Sequence, residues 1–158
     1  MSSSVKPFDH FSVPRVAQLT QRSNQFNLRT LRYSEEDIKK IVGAQAYLTL
    51  SFTLKDKYGD HGLISTVILQ KQERALFIDT WVMSCRVLKR GLEEFILNEM
   101  AALGRSHGFT RIIGEYLPTA KNGLVKDLYA QLGFLEKDKV WVLELNEFTE
   151  RKHFIKND

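Results

Sequence analysis

Three β-rich segments follow one another in the middle of the chain, and they constrain the fold more than any other feature. AYLTLSFTL (46–54) and GLISTVILQ (62–70) flank KDKYGDH (55–61), a polar turn containing Gly59. This pattern predicts an antiparallel hairpin. The third segment, RALFIDTWVMS (74–84), is more apolar and is predicted to lie near the centre of a sheet.

The pattern changes after Gly91 from strand to helix. Apolar residues then recur at the spacing of an amphipathic helix: Leu92, Phe95, Ile96, Met100 and Leu103. The segments that follow predict a strand over FTRIIGEYL (109–117), a helix over NGLVKDLYAQLGF (122–134) and a strand over KVWVLELN (139–146).

The N-terminal part predicts two helices with a strand between them. SVPRVAQLTQRSNQF (12–26) has the pattern of a short helix, and NLRTLRY (27–33) alternates like a strand. SEEDIKKIVG (34–43) predicts a helix because Ser34 and Asp37 have the spacing of a capping box. The whole order of elements predicts an α/β fold, with a sheet of mixed direction and helices on both faces.

The length of 158 residues allows one domain with a substantial core. We expect this domain to span residues 13–148, with a flexible leader at 1–12 and a charged tail at 149–158. The chain has no apolar run long enough to cross a bilayer and no signal-peptide core. The single cysteine, Cys85, excludes an internal disulfide, and we expect a cytoplasmic protein.

The charge pattern restricts the partners. The net charge of +4 favours anionic partners, either a small molecule or an acidic protein surface. A dense basic stripe with interleaved aromatic residues is absent from the sequence, so nucleic acid is not expected as a ligand. The histidines do not have the spacing of metal ligands, so we expect no metal.

The junction SCRVLKRGLEE (84–94), where the third strand ends and a helix begins, is the first candidate site. Unpaired backbone N–H groups at a helix start attract anions. Arg86, Lys89 and Arg90 add positive charge, and Gly91 allows a close approach to the backbone. The pattern fits a phosphate site, and it equally fits a crowded helix start with solvated cations.

The spacing R-x-x-x-x-G between this strand and this helix, together with LYAQLGF (128–134), resembles the GNAT acyltransferase fold. That family has the signature R/Q-x-x-G-x-G/A at the corresponding junction, where the loop binds the pyrophosphate of coenzyme A. The resemblance implies a twisted, largely antiparallel mixed sheet. Arg86 matches the first position and Gly91 the last, whereas Lys89 stands where the family usually has a glycine. A side chain there would crowd the pyrophosphate or replace an amide contact by a charge contact.

Four longer segments are similar to the C-terminal half of the FkbH family: residues 17–38, 57–64, 78–94 and 114–129. Members of that family join a HAD-type phosphatase-like half to a GNAT-like half, and they are associated with carrier-protein-bound three-carbon units such as glyceryl groups in polyketide biosynthesis. The HAD half needs an Asp-x-Asp motif, which this sequence lacks. The resemblance therefore implies the acyltransferase half alone, with an acyl carrier protein and a HAD phosphatase-like domain or protein as partners.

The resemblance also implies roles for individual residues. The cofactor-binding set consists of six residues: Ser84, Arg86, Lys89, Arg90, Gly91 and Asn122. Of these, Arg86, Arg90 and Gly91 would hold the phosphate of a pantetheine arm, on coenzyme A or on a carrier protein. The splayed central strands would hold the arm, and backbone amides from Ser84 to Arg86 would polarise the thioester carbonyl. Asn122 would contact the pantetheine or serve as an ordinary N-cap.

Three residues are candidates for catalysis. Tyr129 would protonate the departing thiolate, or it would simply pack in the core. Cys85 would carry a transient acyl group, because a thiolate beside cations and a helix start is a good nucleophile; the alternative is a small buried hydrophobic residue. Glu115 would act as a general base or orient the substrate.

Further residues are candidates for binding the small-molecule acyl substrate. Asp79 lies in an apolar strand, where a charge is costly unless paired. Asp79 and Glu115 therefore either act on the substrate or each pair with a neighbouring cation. Thr119 and Lys121, in the loop PTAKN (118–122), would contact an acidic group of the substrate.

The sequence thus predicts an acyltransferase that moves a short acyl group between a pantetheine thioester and an acceptor. Two other functions remain open at this point. One is a docking module without catalytic activity that positions a carrier protein for a phosphatase. The other is an N-acetyltransferase for small molecules that uses acetyl-CoA, since a fold alone does not determine the chemistry.

Overall fold

The computed structural model describes residues 1–88 and 91–158. Within these residues the helices are α1 (Val13–Arg22), α2 (Glu35–Gly43), α3 (Leu92–Ser106) and α4 (Leu128–Gln131), with 3₁₀ turns at Cys85–Val87 and Gly123–Val125. The strands are β1 (Ser2–Ser3), β2 (Val5–Lys6), β3 (Tyr47–Asp56), β4 (Gly59–Lys71), β5 (Ala75–Met83), β6 (Arg111–Gly114), β7 (Leu135–Lys137), β8 (Val140–Glu144) and β9 (Lys156–Asn157).

All of these strands belong to one sheet, in the order β7-β8-β6-β5-β4-β3-β1-β9, and β2 pairs with β3. The pairs β5–β6 and β1–β9 are parallel, and the other pairs are antiparallel. The predicted α/β fold with a mixed, largely antiparallel sheet is therefore confirmed.

The sheet separates two layers of helices, as predicted. Adjacent strand residues face opposite sides, and in β4 Val67 belongs to one apolar cluster and Ile68 to the other. The smaller cluster joins the sheet to α1 and α2, and the larger one joins it to α3 and α4. Each helix pair thus buries its apolar face against its own side of the sheet.

Local sequence signals account for the most regular elements. The predicted hairpin is formed by β3 and β4, and it turns at Gly59 with a φ of 127°. At the start of α2, Ser34 Oγ accepts a hydrogen bond of 3.1 Å from the Asp37 N–H, and Asp37 Oδ2 accepts one of 2.9 Å from the Ser34 N–H. The predicted capping box is therefore present.

The segment 27–33 differs from its prediction. It forms no strand, and its one bridge to the sheet joins Asn27 to Val82. Thr30 has a φ of 57°, which interrupts an extended conformation, and Asn27 Oδ1 supports this turn by accepting the Thr30 N–H at 2.8 Å.

The C-terminal elements are shorter and more broken than predicted. The helix expected over 122–134 consists of a 3₁₀ turn and the short α4, and the strand expected over 109–117 covers only β6. The strand β7 was not predicted. It forms a hairpin with β8 across Asp138 and Lys139, both of which have positive φ.

The chain termini also differ from the expectation of a flexible leader and a charged tail outside the domain. β1 pairs with β3, and β9 pairs with β1, so both ends extend the sheet. Phe8 and Ile155 are buried. Burial of these apolar side chains stabilises the two termini against the sheet.

Candidate functional site

The parallel strands β5 and β6 separate at one point, and this point organises the site. They pair only over Ala75–Phe77 and 111–113. β6 then ends at Gly114, whereas β5 continues to Met83. A wedge-shaped opening therefore separates the second half of β5 from the segment that follows Gly114.

The chain itself fills part of this opening with residues 26–29, which we call the wedge segment. Phe26 O accepts a hydrogen bond of 3.2 Å from the Met83 N–H, on the β5 side. Leu28 O accepts one of 2.9 Å from the Leu117 N–H, on the opposite side. The side chains of Phe26 and Leu28 are buried in the larger apolar cluster. The wedge segment therefore occupies the β5 edge along which the pantetheine arm was expected to lie.

Arg29, at the end of the wedge segment, pairs with both carboxylates that the sequence analysis singled out. Its Nε lies 3.0 Å from Glu115 Oε1, and its Nη1 lies 3.5 Å from Asp79 Oδ1. Nη1 also donates a 2.9 Å hydrogen bond to Asp79 O. Both carboxylates are thus paired with a cation, which was one of the two alternatives. That cation is a single arginine that the sequence analysis did not identify. An unpaired charge in an apolar strand is energetically costly, so Asp79 by itself indicated that a cationic partner must lie nearby.

Asp79 is held from a second direction by hydroxyl groups. Tyr33 donates a hydrogen bond of 2.6 Å to Asp79 Oδ2, and Thr80 Oγ1 donates one of 2.8 Å to the same oxygen. Burial and the Asp79 carboxylate raise the pKa of the Tyr33 phenol. Asp79 therefore has a fixed position at the divergence of the strands.

Tyr129 presents its phenol at the point where the strands separate. A Cβ atom built on Gly114 would lie only 2.4 Å from Tyr129 Cζ, the ring carbon that bears the hydroxyl. The ring is buried and packs against Phe134, with a centroid distance of 4.9 Å. Its hydroxyl has no hydrogen-bond partner among the described residues. Burial raises the pKa of the Tyr129 phenol far above its usual value.

Asn122 makes side-chain contacts that the sequence analysis did not anticipate. Its side chain is fully buried and makes no cap hydrogen bond. Oδ1 accepts the Thr119 N–H at 2.7 Å, and Nδ2 donates to Asn27 O and Leu117 O at 3.0 Å each. Asn122 therefore joins the wedge segment to the loop at 117–119. It stands at the expected N-cap position, here of the 3₁₀ turn Gly123–Val125, but its side chain does not cap that turn.

Thr119 is also engaged within this loop. Its Oγ1 accepts the N–H groups of Lys121 and Asn122, each at 3.2 Å. Its hydroxyl oxygen therefore stabilises the loop, and Lys121 is one of the residues that line the cationic cleft described below.

The junction at 84–94 has fewer free amides than expected. The Ser84 N–H donates to Ile64 O at 2.8 Å, and the Arg86 N–H donates to Ser84 Oγ at 3.4 Å. These two amides are therefore not free to polarise a carbonyl. Gly91 has a φ of 80°, a conformation that favours glycine, and it is the N-cap residue of α3. The predicted residues Lys89 and Arg90 lie outside the described residues.

An open cavity of about 690 Å³, which we call the cationic cleft, lies between α1 and the start of this junction. Its basic lining residues are Arg15, Arg22, Arg86 and Lys121. Ser84 and Cys85 also line it, and Cys85 is an exposed free thiol rather than a buried hydrophobic residue. The structure thus brings together four of the predicted site residues with two arginines that the sequence analysis did not single out.

A second cavity, of about 330 Å³, lies between the start of α3 and α4. Phe26, Leu88, Val125 and Leu128 form much of its apolar lining. Phe26 is also a lining residue of the cationic cleft. The wedge segment therefore separates two cavities that open from opposite sides of the divergence.

The described residues contain neither a metal-ligating cluster nor a membrane-spanning helix. No cluster of three or more His, Cys, Asp or Glu side chains with the arrangement of a metal site occurs in residues 1–88 and 91–158. Across the same residues, every helix is too short or too polar to span a bilayer.

Comparisons with known proteins concern the fold. No family model matches the chain, and no curated protein matches it in sequence. Among solved structures, it is similar to the ribosomal-protein-S18-alanine N-acetyltransferase of Escherichia coli, with a TM-score of 0.71 and 16% identity over 96% of this chain and 99% of that one.

Two further structures give the same result. The spermidine N-acetyltransferase of Vibrio cholerae in complex with CoA and spermine has a TM-score of 0.69 and 11% identity, over 92% of this chain and 97% of that one. The GNAT domain of S. lividans PAT has a TM-score of 0.66 and 20% identity, over 89% and 88%. The chain therefore has the fold of the GNAT acetyltransferases.

Proposed function

We propose that this domain is a GNAT-type acyltransferase that transfers an acyl group from coenzyme A to a small-molecule acceptor. The observation that carries the proposal is the buried Tyr129 hydroxyl, which lies at the divergence of β5 and β6 without a partner among the described residues. A buried polar atom without a partner is costly, and such atoms are retained where a ligand or a reaction uses them. Two of the named solved structures with this fold are N-acetyltransferases, which supports the same chemistry.

The described residues suggest how the protons are handled. The raised pKa of Tyr129 keeps its phenol protonated at neutral pH, so it acts as a hydrogen-bond donor to the departing sulfur and not as a base. It becomes an acid strong enough to protonate that sulfur only when the bound donor lowers this pKa. Glu115, whose Oε1 lies 3.0 Å from Arg29 Nε, would orient the acceptor or accept a proton from it. The coenzyme supplies the activated acyl group when it is bound.

The wedge segment determines whether a pantetheine arm fits. The arm does not fit along β5 while Phe26 O is bonded to the Met83 N–H and Asn27 bridges to Val82. Binding of the donor therefore requires these residues to leave the β5 edge. The cavity between α3 and α4, which Phe26 lines together with Glu93 and Glu94, would accommodate the arm on that side of the sheet.

Replacing Tyr129 by phenylalanine tests the proposal. Release of free coenzyme A is measured with acetyl-CoA and a panel of amine and hydroxyl acceptors. We expect Tyr129→Phe to lower kcat about 10²-fold or more with KM nearly unchanged, because general-acid catalysis typically contributes ~10²–10⁴-fold. Tyr116→Phe is the matched control, since it also removes a phenol, here one bonded to the Asn122 side chain at 3.2 Å. Equal kcat for wild type and Tyr129→Phe would contradict the role of the phenol.

A second candidate function rests on the occupied β5 edge. A domain whose donor edge remains closed would act as a docking module for a carrier protein, without catalysis of its own. The four segments similar to the FkbH family support an acyl carrier protein and a HAD phosphatase-like protein as its partners. Saturable binding of a holo carrier protein, with no binding of free coenzyme A and no turnover, would favour this candidate.

The FkbH resemblance also supports a finer version of the transferase. In it, the Cys85 thiolate attacks a glyceryl thioester on carrier-protein phosphopantetheine, the carrier thiol leaves, and the glyceryl group remains on Cys85. The exposed position of Cys85 is compatible with access of a carrier arm. Intact-mass measurement after incubation with a glyceryl-loaded carrier tests this step, with Cys85→Ser as the control. An adduct that persists in Cys85→Ser would contradict it.

A further inference from the structure

We propose that the cationic cleft binds a carboxylate or phosphate group of the acyl acceptor. This inference deepens the proposed function and rests on it, because it gives the acceptor a chemical class. The cleft has room for a small molecule, about 690 Å³, and it is open to solvent at one side.

The first argument is the charge of the lining. Arg15 and Arg22 come from α1, Arg86 from the turn after β5, and Lys121 from the loop before α4. No acidic residue is among the lining residues of the cleft in the described part of the chain. The four cations have no ion-pair partner within residues 1–88 and 91–158.

The second argument is the mutual proximity of the arginines. Desolvation, followed by the charges of Arg86 and Arg22, lowers the pKa of the Arg15 guanidinium. Such like charges repel one another, and an anion placed among them removes the repulsion and gains charge-assisted hydrogen bonds. Guanidinium groups present paired N–H donors that match the two oxygens of a carboxylate or phosphate.

The third argument is the rigidity of the lining. Arg15 Nε donates to Leu63 O at 3.3 Å, and Arg15 Nη1 donates to Gln18 Oε1 at 2.7 Å. Arg86 Nε donates to Ser84 Oγ at 3.4 Å. Two of the cations are thus positioned before any ligand arrives, which reduces the entropy lost on binding.

The location assigns the cleft to the acceptor. α1 belongs to the cluster on one face of the sheet, whereas the cavity between α3 and α4 lies on the other. A ligand in the cationic cleft would approach the divergence of β5 and β6 from the face opposite the cavity between α3 and α4, where the donor is proposed to bind. The charge would repel a cationic acceptor such as a polyamine.

Calorimetric titration of the whole chain with inorganic pyrophosphate and with citrate tests the inference, with spermine as a cationic comparison. We expect saturable binding of both anions and none of spermine. The double variant Arg15→Gln/Arg22→Gln should raise the Kd for the anions at least tenfold. The matched control Lys137→Gln/Lys139→Gln removes two exposed charges from the β7–β8 hairpin and should leave the Kd unchanged.

The single variant Arg22→Gln keeps the inference testable if the double variant does not fold, because the Arg15 hydrogen bonds remain. A Kd that is the same in Arg22→Gln, or a wild type that does not bind either anion, would overturn the inference. Competition with coenzyme A distinguishes the two sources of phosphate. If coenzyme A displaces citrate competitively, the cleft belongs to the donor, and the assignment to the acceptor is wrong.

These results are independent of turnover. Anion binding that depends on Arg22, in a protein that transfers no acyl group, would contradict the proposed function and leave the cleft as an anion site. Acyl transfer to cationic acceptors, in a protein that does not bind the anions, would support the proposed function and contradict the inference about the cleft.

Discussion

Gly114 lies directly beneath the ring of Tyr129, so Gly114→Ala tests the placement of the phenol. The added Cβ would lie 2.4 Å from Tyr129 Cζ and 2.7 Å from each of the two neighbouring ring carbons. Favourable contacts between carbon atoms lie at about 3.5–4.0 Å, so the ring or the strand must move by about 1 Å. Trp81 and Phe134 contact the other sides of the ring and oppose this movement.

The expected cost follows from this crowding. An extra methyl group in a well-packed core typically costs about 1–3 kcal/mol. For a domain of this size each kcal/mol lowers the melting temperature by about 2–4 °C, so we expect a decrease of about 2–12 °C. A displacement of about 1 Å at a catalytic group can lower activity about 10²-fold, so turnover should fall more than stability alone explains.

Calorimetric melting and turnover of acetyl-CoA measure the two effects. Gly43→Ala is the matched control, because Gly43 is exposed in α2 and a Cβ there has no neighbour within 4 Å. We expect this control to be neutral or to stabilise by up to about 1 kcal/mol. A Gly114→Ala protein that melts with the wild type and retains its turnover would refute the placement of Tyr129 over Gly114.

Three further predictions concern stability. Asn122→Ala should lower the free energy of unfolding by about 2–5 kcal/mol, because it leaves one buried and two part-buried backbone groups without their partner. Urea denaturation measures this, and a loss below about 0.5 kcal/mol, as at an ordinary surface site, would contradict it. Arg29→Met should lower the free energy of unfolding by about 3 kcal/mol, because Asp79 and Glu115 lose their cation. Adding Asp79→Asn and Glu115→Gln should restore part of this free energy in the same assay. A triple variant that is no more stable than Arg29→Met would argue against the pairing. Burial, followed by a nearby carboxylate, raises the pKa of Glu99, so the charged form of Glu99 destabilises the fold above the usual pKa of about 4.3, and this destabilisation disappears as the pH falls. Glu99→Gln should therefore melt at a higher temperature than the wild type at pH 7 and at the same temperature at pH 4. Equal melting temperatures at pH 7 would be the contrary result.

The elements that the sequence predicted correctly are those determined by local patterns. The hairpin of β3 and β4 follows from alternation and a turn glycine, and α2 follows from its capping box. The helix α3 follows from its apolar spacing. Each of these signals depends on residues close together in the chain, so a single sequence contains them in full.

The wedge segment depends on distant residues and was not predicted. Its alternating pattern resembles a strand, but its partners lie far along the chain: Arg29 contacts Asp79 and Glu115, which are 50 and 86 residues away. Tertiary contacts of this kind override local propensity. The terminal strands were missed for a similar reason, since β1 and β9 have two residues each and no readable period.

The sequence analysis predicted which residues lie in the candidate site better than it predicted their hydrogen-bond and ion-pair partners. Tyr129, Glu115 and Asp79 do meet at the divergence of β5 and β6, although Arg29 pairs with both carboxylates. Asn122, by contrast, has its side-chain amide fully engaged within the chain. A sequence shows which residues are chemically capable, whereas their hydrogen-bond partners depend on the folded backbone.

The central claim is that an acyl-CoA donor binds at the divergence of β5 and β6 and displaces the wedge segment. The fluorescence of Trp81 reports directly on displacement of the wedge segment. Trp81 is buried, and its ring centroid lies 5.5 Å from that of Phe26, the first residue of that segment. In Trp141→Phe it is the single tryptophan of the chain, since the sequence has two. Titration of this variant with acetyl-CoA should give a saturable change in Trp81 emission, with a Kd equal to that from calorimetry. Unchanged emission and no heat of binding at millimolar acetyl-CoA would contradict the account.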